Sequence, residues 1–354
     1  MDSRVVEHAK IVTNYCTSVK RGDHVLIDLR DIAGFELAAE ILKEVVRLGG
    51  RPLIIALPSE AVRDIVDLMP IEELPICTPQ HYLEALKASD VDIIIVSPAN
   101  TRILENADSK RMAMLQKATE PLFEEQLKKR WNVTIHPTNA LAQEAGMSLT
   151  EYKDFAYSAM IRDWNAEIDK MKKLKAIMEK ASEVQLIGKD TDLSFSIQGR
   201  TAVIDDAKYN LPGGEAFTAP IDDSATGTIY FDLPAIYGKE VTDVRLTFDK
   251  GVIVNYSASK NDSFLKEMIE TDEGSKRLGE FGIGANRGIG RFTKRILFDE
   301  KMAGTIHLAI GDAYKECGGV NKSAVHWDMI KTMKPGKILM DGEPVQIDGK
   351  FFWE

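Results

Sequence analysis

The chain has 354 residues, 44% hydrophobic and 28% charged, with a formal net charge of −10 and an isoelectric point near 5.3. That length exceeds the roughly 100–200 residues of a single domain, so two domains are expected, each able to bury a core. The acidic balance speaks against nucleic-acid binding, which needs basic surface to displace counterions, and apolar runs such as IIIV at 93–96 are too short to span a membrane.

Cys16, Cys77 and Cys317 are far apart and odd in number, form no CxxC pair, and fit a reducing, cytoplasmic compartment. The opening MDSRVVEHAK reads as the start of an amphipathic helix and has no apolar signal-peptide core. VLIDL at 25–29 is a strand signal. FELAAEILKEVVRL follows, with Phe35, Ala38, Ile41, Leu42, Val45 and Leu48 on one helical face and Gly49–Gly50 as its stop. PLIIAL at 52–57 is the next strand, and this strand–helix–strand unit predicts a right-handed crossover with parallel pairing. VDIIIVS at 91–97 reads as a strand covered on both faces. Helices are expected over 109–129, 149–161 and 164–182, the last with a stripe of Trp164, Ile168, Met171, Ile177 and Met178. Residues 1–182 therefore read as an α/β domain with an open, mostly parallel, Rossmann-like sheet.

From 183 to 354 the pattern is a β-rich α+β domain. VQLIG, DLSFSIQ, TAVID, GTIYFDL, VTDVRLTF and GVIVNYSA are strand-like, VTDVRLTF–DKG–VIVNY reads as a hairpin, and one clear helix covers 262–271.

Most single-motif chemistries are absent: there is no GxSxG, HExxH or P-loop, and LRDIAGFE after the first strand lacks the glycine fingerprint of a dinucleotide site. His8, His24, His81 and His136 are scattered and read as surface or packing residues. In the second half, TIHLAIGDAY places His307 in a strand that ends near Tyr314. SAVHWDMI sets His326 and Asp328 two apart, hence on one face of a strand, with Trp327 facing away. Glu215 follows two glycines in YNLPGGEAFTAP, and Glu280 precedes glycines in LGEFGIGAN; glycine beside a carboxylate permits close approach. Each has an ordinary alternative, an acidic turn residue for Glu215 and a strand-end charge for Glu280. Together the five offer two imidazoles and three carboxylates, a donor set suited to Zn, Mn or Co and large enough for two ions sharing a carboxylate. GIGANRGIG at 282–290 superficially suggests a phosphate loop but lacks the strand-then-helix context, so close packing is expected. Asp206, Asp222 and Asp223 read as solvated turn acids or as partners that orient a histidine; Cys317 reads as structural.

Five separated segments, NLPGGEAFTAP with IDDSATG, LGEFGIGAN, GTIHLAIGDAY, GGVNKSAVHWD and ILMDGEPV, resemble in order the thermophilic metallo-aminopeptidases of the aminopeptidase T and aminopeptidase S type. The resemblance implies an exopeptidase acting on short peptides and two divalent metal ions held by Glu215, Glu280, His307, His326 and Asp328. It also implies Tyr314 as a catalytic residue and a cytoplasmic homodimer. Glu215 has two readings, ligand or general base, with ligand preferred. A ring-cleaving, single-iron dioxygenase of the dihydroxypyridine type resembles the same fold. There a histidine stands where this chain has Glu280, which favours two ions and hydrolysis. A non-enzymatic metal- or ligand-binding protein is the third reading.

Overall fold

The apolar run at 25–29 becomes an inner strand of a parallel sheet in a computed structural model that describes residues 2–353. In chain order this part holds α1 (Ser3–Lys10), β1 (His24–Arg30), α2 (Phe35–Arg47), β2 (Arg51–Ala56), α3 (Ser59–Leu68), α4 (Gln80–Lys87) and β3 (Val91–Val96), then α5 (Ser109–Gln126), β4 (Arg130–Ile135), α6 (Asn139–Glu144) and α7 (Leu149–Met160). The strands lie in the order β2, β1, β3, β4 and pair in parallel. Helix α2 buries Leu37, Ala38, Ile41 and Val45. Phe35, at its first position, stays exposed. Gly49, at φ 79°, ends the helix: its N–H donates to the Val46 carbonyl, and Gly50 donates to Val45. The central strands carry a polar surprise, because Asp28 and Asp92 are both buried. Asp28 Oδ2 accepts from Tyr82 Oη and from an Arg30 Nη, each at 2.5 Å. Among the described residues, neither oxygen of Asp92 has a hydrogen-bond partner, and burial, reinforced by the charge of Asp28, pushes its carboxyl up to about 8.

After α8 (Trp164–Met178) come β5 (Glu183–Gly188), β6 (Thr191–Ser196) and β7 (Val203–Asp205). The chain then contributes β8 (Asn210–Leu211) as a fifth, parallel strand beside β4, with Leu211 opposite Thr134. It continues through β9 (Glu215–Thr218), β10 (Thr226–Phe231), β11 (Ala235–Tyr237), β12 (Lys239–Val241), β13 (Val244–Asp249), β14 (Val252–Ser257), α9 (Asp262–Ile269), β15 (Leu278–Gly284), α10 (Ile296–Asp299), β16 (Thr305–Gly311), β17 (His326–Thr332), β18 (Gly336–Met340), β19 (Glu343–Ile347) and β20 (Lys350–Phe351). The hairpin expected around DKG is the antiparallel pair β13–β14.

Two units result, Met1–Arg162 with Ala207–Pro212 and Asp163–Asp206 with Gly213–Glu354. Helix α8, read from the sequence with the α/β half, belongs to the second unit because Leu174 and Met178 pack in one core with Val184, Leu186 and Phe195. In that unit an eight-stranded sheet (β14-β13-β10-β6-β5-β18-β19-β20) and a five-stranded sheet (β17-β16-β15-β9-β7) share this core. Alternation assigns the faces of the smaller sheet. Phe281, Ile283, Ile306, Leu308, Trp327 and Met329 enter the core, and Phe195 meets Phe281 edge-on at 5.1 Å. Each such side chain contributes roughly 2 kcal/mol of burial. Their neighbours Glu280, Gly282, His307 and Asp328 are thereby turned to the opposite face. Among the described residues, no helix is long and apolar enough to cross a membrane.

Candidate metal centre

Four antiparallel strands, β17-β16-β15-β9, carry the five candidate ligands on one face. The strand pairing dictates who meets whom: His307 is the cross-strand partner of Gly282, and Glu215 that of Gly284. With no side chain at 282, the imidazole of His307 lies across β15, and its Nε2 comes 3.2 Å from Glu280 Oε1. Glu280 therefore sits within a strand, next to a bulge between Leu278 and Glu280, and the first glycines of GIGANRGIG are strand positions serving close packing.

His326 and Asp328 share the face that their spacing requires, with Trp327 buried behind them. Nε2 of His326 lies 3.2 Å from Glu280 Oε2 and 3.5 Å from Asp328 Oδ2. Its Nδ1–H donates to the Asp312 carbonyl at 2.8 Å, which fixes the tautomer with Nε2 free to ligate. Glu215 Oε2 stands 3.6 Å from His307 Nε2. All five residues thus gather in one cluster, and Glu280, His307 and Asp328 offer donor atoms within 4.8 Å of one another.

The cluster asks for positive charge. Burial opposes charging of the imidazoles, but hydrogen bonds and the charge of the surrounding carboxylates raise His307 to about 10 and His326 to about 11. Burial likewise opposes ionisation of Glu280, yet both histidines hold it well below the usual carboxylate range, at about 2. Burial pushes Glu215 upward against the Lys301 ammonium. Among the described residues, Glu215 Oε2 and Asp328 Oδ1 are buried without a hydrogen-bond partner, and His326 Nε2 faces carboxylate oxygens at 3.2 and 3.5 Å without a hydrogen bond of good geometry. Buried orphan donors of N/O type around three carboxylates are what a divalent cation would satisfy, so the residues fit a metal.

Tyr314 follows β16 at the start of a short turn and is 42% exposed. Its ring lies 5.1 Å from that of His326 and 5.5 Å from that of Phe217. Partial burial, then the charge of Glu280 and Asp328, push its hydroxyl upward, so it stays protonated and able to donate. Cys317 is buried in a small cluster with Ala219 and Ala313, as expected of a structural residue. Asp222 and Asp223 lie in a turn, Asp222 facing Arg200 at 3.8 Å. His8, His24, His81 and His136 all lie in the first unit, where His8 Nε2 meets Thr134 Oγ1 at 2.8 Å.

The sequence reading misses Lys301. Its side chain is fully buried, and its ammonium lies 3.1 Å from Glu215 Oε1, 3.4 Å from Asp205 Oδ2 and in contact with Glu300. In FDEKMAG the adjacent Glu300 and Lys301 look like an ordinary surface pair, and nothing local marks the lysine as interior. Asp205, the neighbour of Asp206, reaches it.

Comparison with known proteins places the chain among named relatives. Aminopeptidase AmpS of Bacillus subtilis is 26% identical, with 97% of each chain covered. The structure of AmpT from Thermus thermophilus matches with a TM-score of 0.86 at 21% identity, over 99% of each chain. A 2,5-dihydroxypyridine dioxygenase from Pseudomonas putida matches with a TM-score of 0.65 at 15% identity, over 100% of this chain and 98% of its own. At such identities the two structural likenesses concern the fold alone. The model of one family, described as thermophilic metalloprotease (M29), spans residues 1–351, and the chain belongs to that family.

Proposed function

We propose that this metalloprotease is an aminopeptidase that removes the N-terminal residue of short peptides with the help of two divalent cations, Zn, Co or Mn. The observation that carries the reading is Glu280, whose two oxygens each face a different imidazole at 3.2 Å. Glu215 neighbours His307 at 3.6 Å and Asp328 neighbours His326 at 3.5 Å, while Asp328 also comes within 4.8 Å of His307 and Glu280; Glu280, facing both imidazoles, is the residue that would serve two ions. Such a pair of cations supplies Lewis acidity, acidifying water and polarising a carbonyl. The remaining work falls to side chains. Tyr314 donates a hydrogen bond from its hydroxyl to the oxyanion that would develop on the scissile carbonyl. Glu215 has one oxygen committed to Lys301, so it serves better as an anchor than as the base that takes the water proton.

Cytoplasmic placement is inferred from three cysteines without disulfides. The homodimer is supported by the exposed apolar side chains of the first unit, among them Leu53, Leu68, Ile76 and Phe123; light scattering of the purified chain tests it. The functional reading is tested by metal analysis paired with hydrolysis of a leucine chromogenic amide and its N-acetylated form after addition of Co, Zn or Mn. Near two ions per chain, with cleavage only of the free amine, is the expected result. One iron, oxygen consumption and no amide cleavage would transfer the chain to the dioxygenase chemistry.

A further inference from the structure

Lys301 holds one oxygen of Glu215, and it is a wholly buried cation within reach of a candidate ligand. Burying an ammonium costs several kcal/mol unless carboxylates compensate it, and three do: Glu215, Asp205 and Glu300. Two backbone approaches deliver it. Gly284 pairs with Glu215, and a Cβ there would come within 2.9 Å of the Lys301 carbonyl carbon, so only glycine lets the Lys301–Met302 backbone lie against this strand. Asn286 clamps the same crossing: its N–H donates to the Lys301 carbonyl at 2.9 Å, and its Nδ2 donates to the Gly213 carbonyl at 2.9 Å, two residues before Glu215.

We propose that Lys301 is a positioning residue for Glu215: its ammonium takes Oε1, so that Oε2 alone is presented to the cation cluster, on the side of His307. A carboxylate held by one oxygen offers one ligand atom in one orientation, whereas a free carboxylate can rotate and chelate. Lys301 itself never touches substrate. The inference rests on Glu215 being a cation ligand.

The test is a Co²⁺ titration of the chelator-stripped full chain against a chromophoric competitor, with the cobalt absorption band recorded, for wild type, Lys301→Met, Glu215→Gln and the double variant. Removal of an orienting partner costs about 10–100-fold in metal affinity. Lys301→Met is expected to weaken one of two binding steps by that factor and shift the band of that ion, leaving the other step alone. The double variant is expected to bind no worse than Glu215→Gln, because both act through one contact. A merely structural lysine would lower the melting temperature without singling out one step, and its loss would multiply with that of Glu215→Gln. Either result overturns the proposal. If Lys301→Met fails to fold, Lys301→Met with Asp205→Asn removes one cation and one anion together and is titrated instead. Wild-type binding by Lys301→Met overturns the inference alone, whereas wild-type binding by Glu215→Gln overturns the ligand reading as well.

Discussion

His307 occupies the space that a side chain at Gly282 would fill: the two are cross-strand partners, and a Cβ on Gly282 would overlap the imidazole's Cε1 and Nε2. Gly282→Ala should therefore displace the ring from Glu280 while leaving the buried face of the strand, Phe281 and Ile283, untouched. We expect activity to fall by more than about 100-fold, since displacements near 1 Å have that effect, with far-ultraviolet circular dichroism unchanged. Metal content should drop in parallel.

Glu280 and Asp328 should differ in how many cations they cost. Glu280 faces both imidazoles, whereas Asp328 pairs with His326. Metal analysis of Glu280→Ala should find well under one ion per chain, and of Asp328→Asn about one, given that each variant is saturated and then desalted.

Tyr314→Phe should retain its cations and lose turnover. Removing one oxyanion donor costs about 100–1,000-fold in kcat, and KM for a small leucine amide should change little. Normal turnover in this variant would remove the tyrosine from the mechanism.

Cation affinity should climb with pH. In the metal-free protein the carboxylates hold protons on His307 up to about 10 and on His326 up to about 11. A cation binding near pH 7.5 must expel those protons, so affinity rises as pH approaches these values. Calorimetric heats measured in buffers of different ionisation enthalpy should vary linearly with that enthalpy and report the protons released.

Stability of the first unit should fall with rising pH because of Asp92. Its folded carboxyl titrates at about 8 against an ordinary 3.8, so between these values the native state keeps a proton that the unfolded state has lost. The unfolded state binds fewer protons, and stability declines by up to about 1.4 kcal/mol per pH unit across that window, then levels off above it. Asp92→Asn cannot ionise, and chemical denaturation from pH 4 to 8 should show this slope flattened.

The candidate site was legible where chemistry coincides with strand alternation. His326 and Asp328 sit two apart, His307 lies in an apolar run, and the glycines beside Glu215 and Glu280 mark close packing. What stayed hidden depends on contacts between distant segments. Lys301 is 86 residues from Glu215 along the chain and reaches it only because β9, β15 and the turn after α10 converge. Asp92 lies inside VDIIIVS, whose apolar composition describes the strand correctly and says nothing about the one carboxyl buried with it. Helix α8 reads from sequence as a continuation of the helices before it. Its membership was decided by Leu174 and Met178, whose partners come later in the chain.

The path of the chain between β7 and β9 sets a condition on cutting this protein apart. The polypeptide passes from one unit to the other at Arg162–Asp163, again at Asp206–Ala207, and back at Pro212–Gly213. A fragment ending at residue 162 would lack β8, leaving the β4 edge bare at Val133 and Thr134 and Asn132 Nδ2 without the Ala207 and Lys208 carbonyls that it binds at 3.2 Å. Neither unit is thus a single cassette. A chimera with a relative must be spliced at three seams, the last of them two residues before Glu215, and a graft of the second unit inherits a short strand that completes the other unit's sheet.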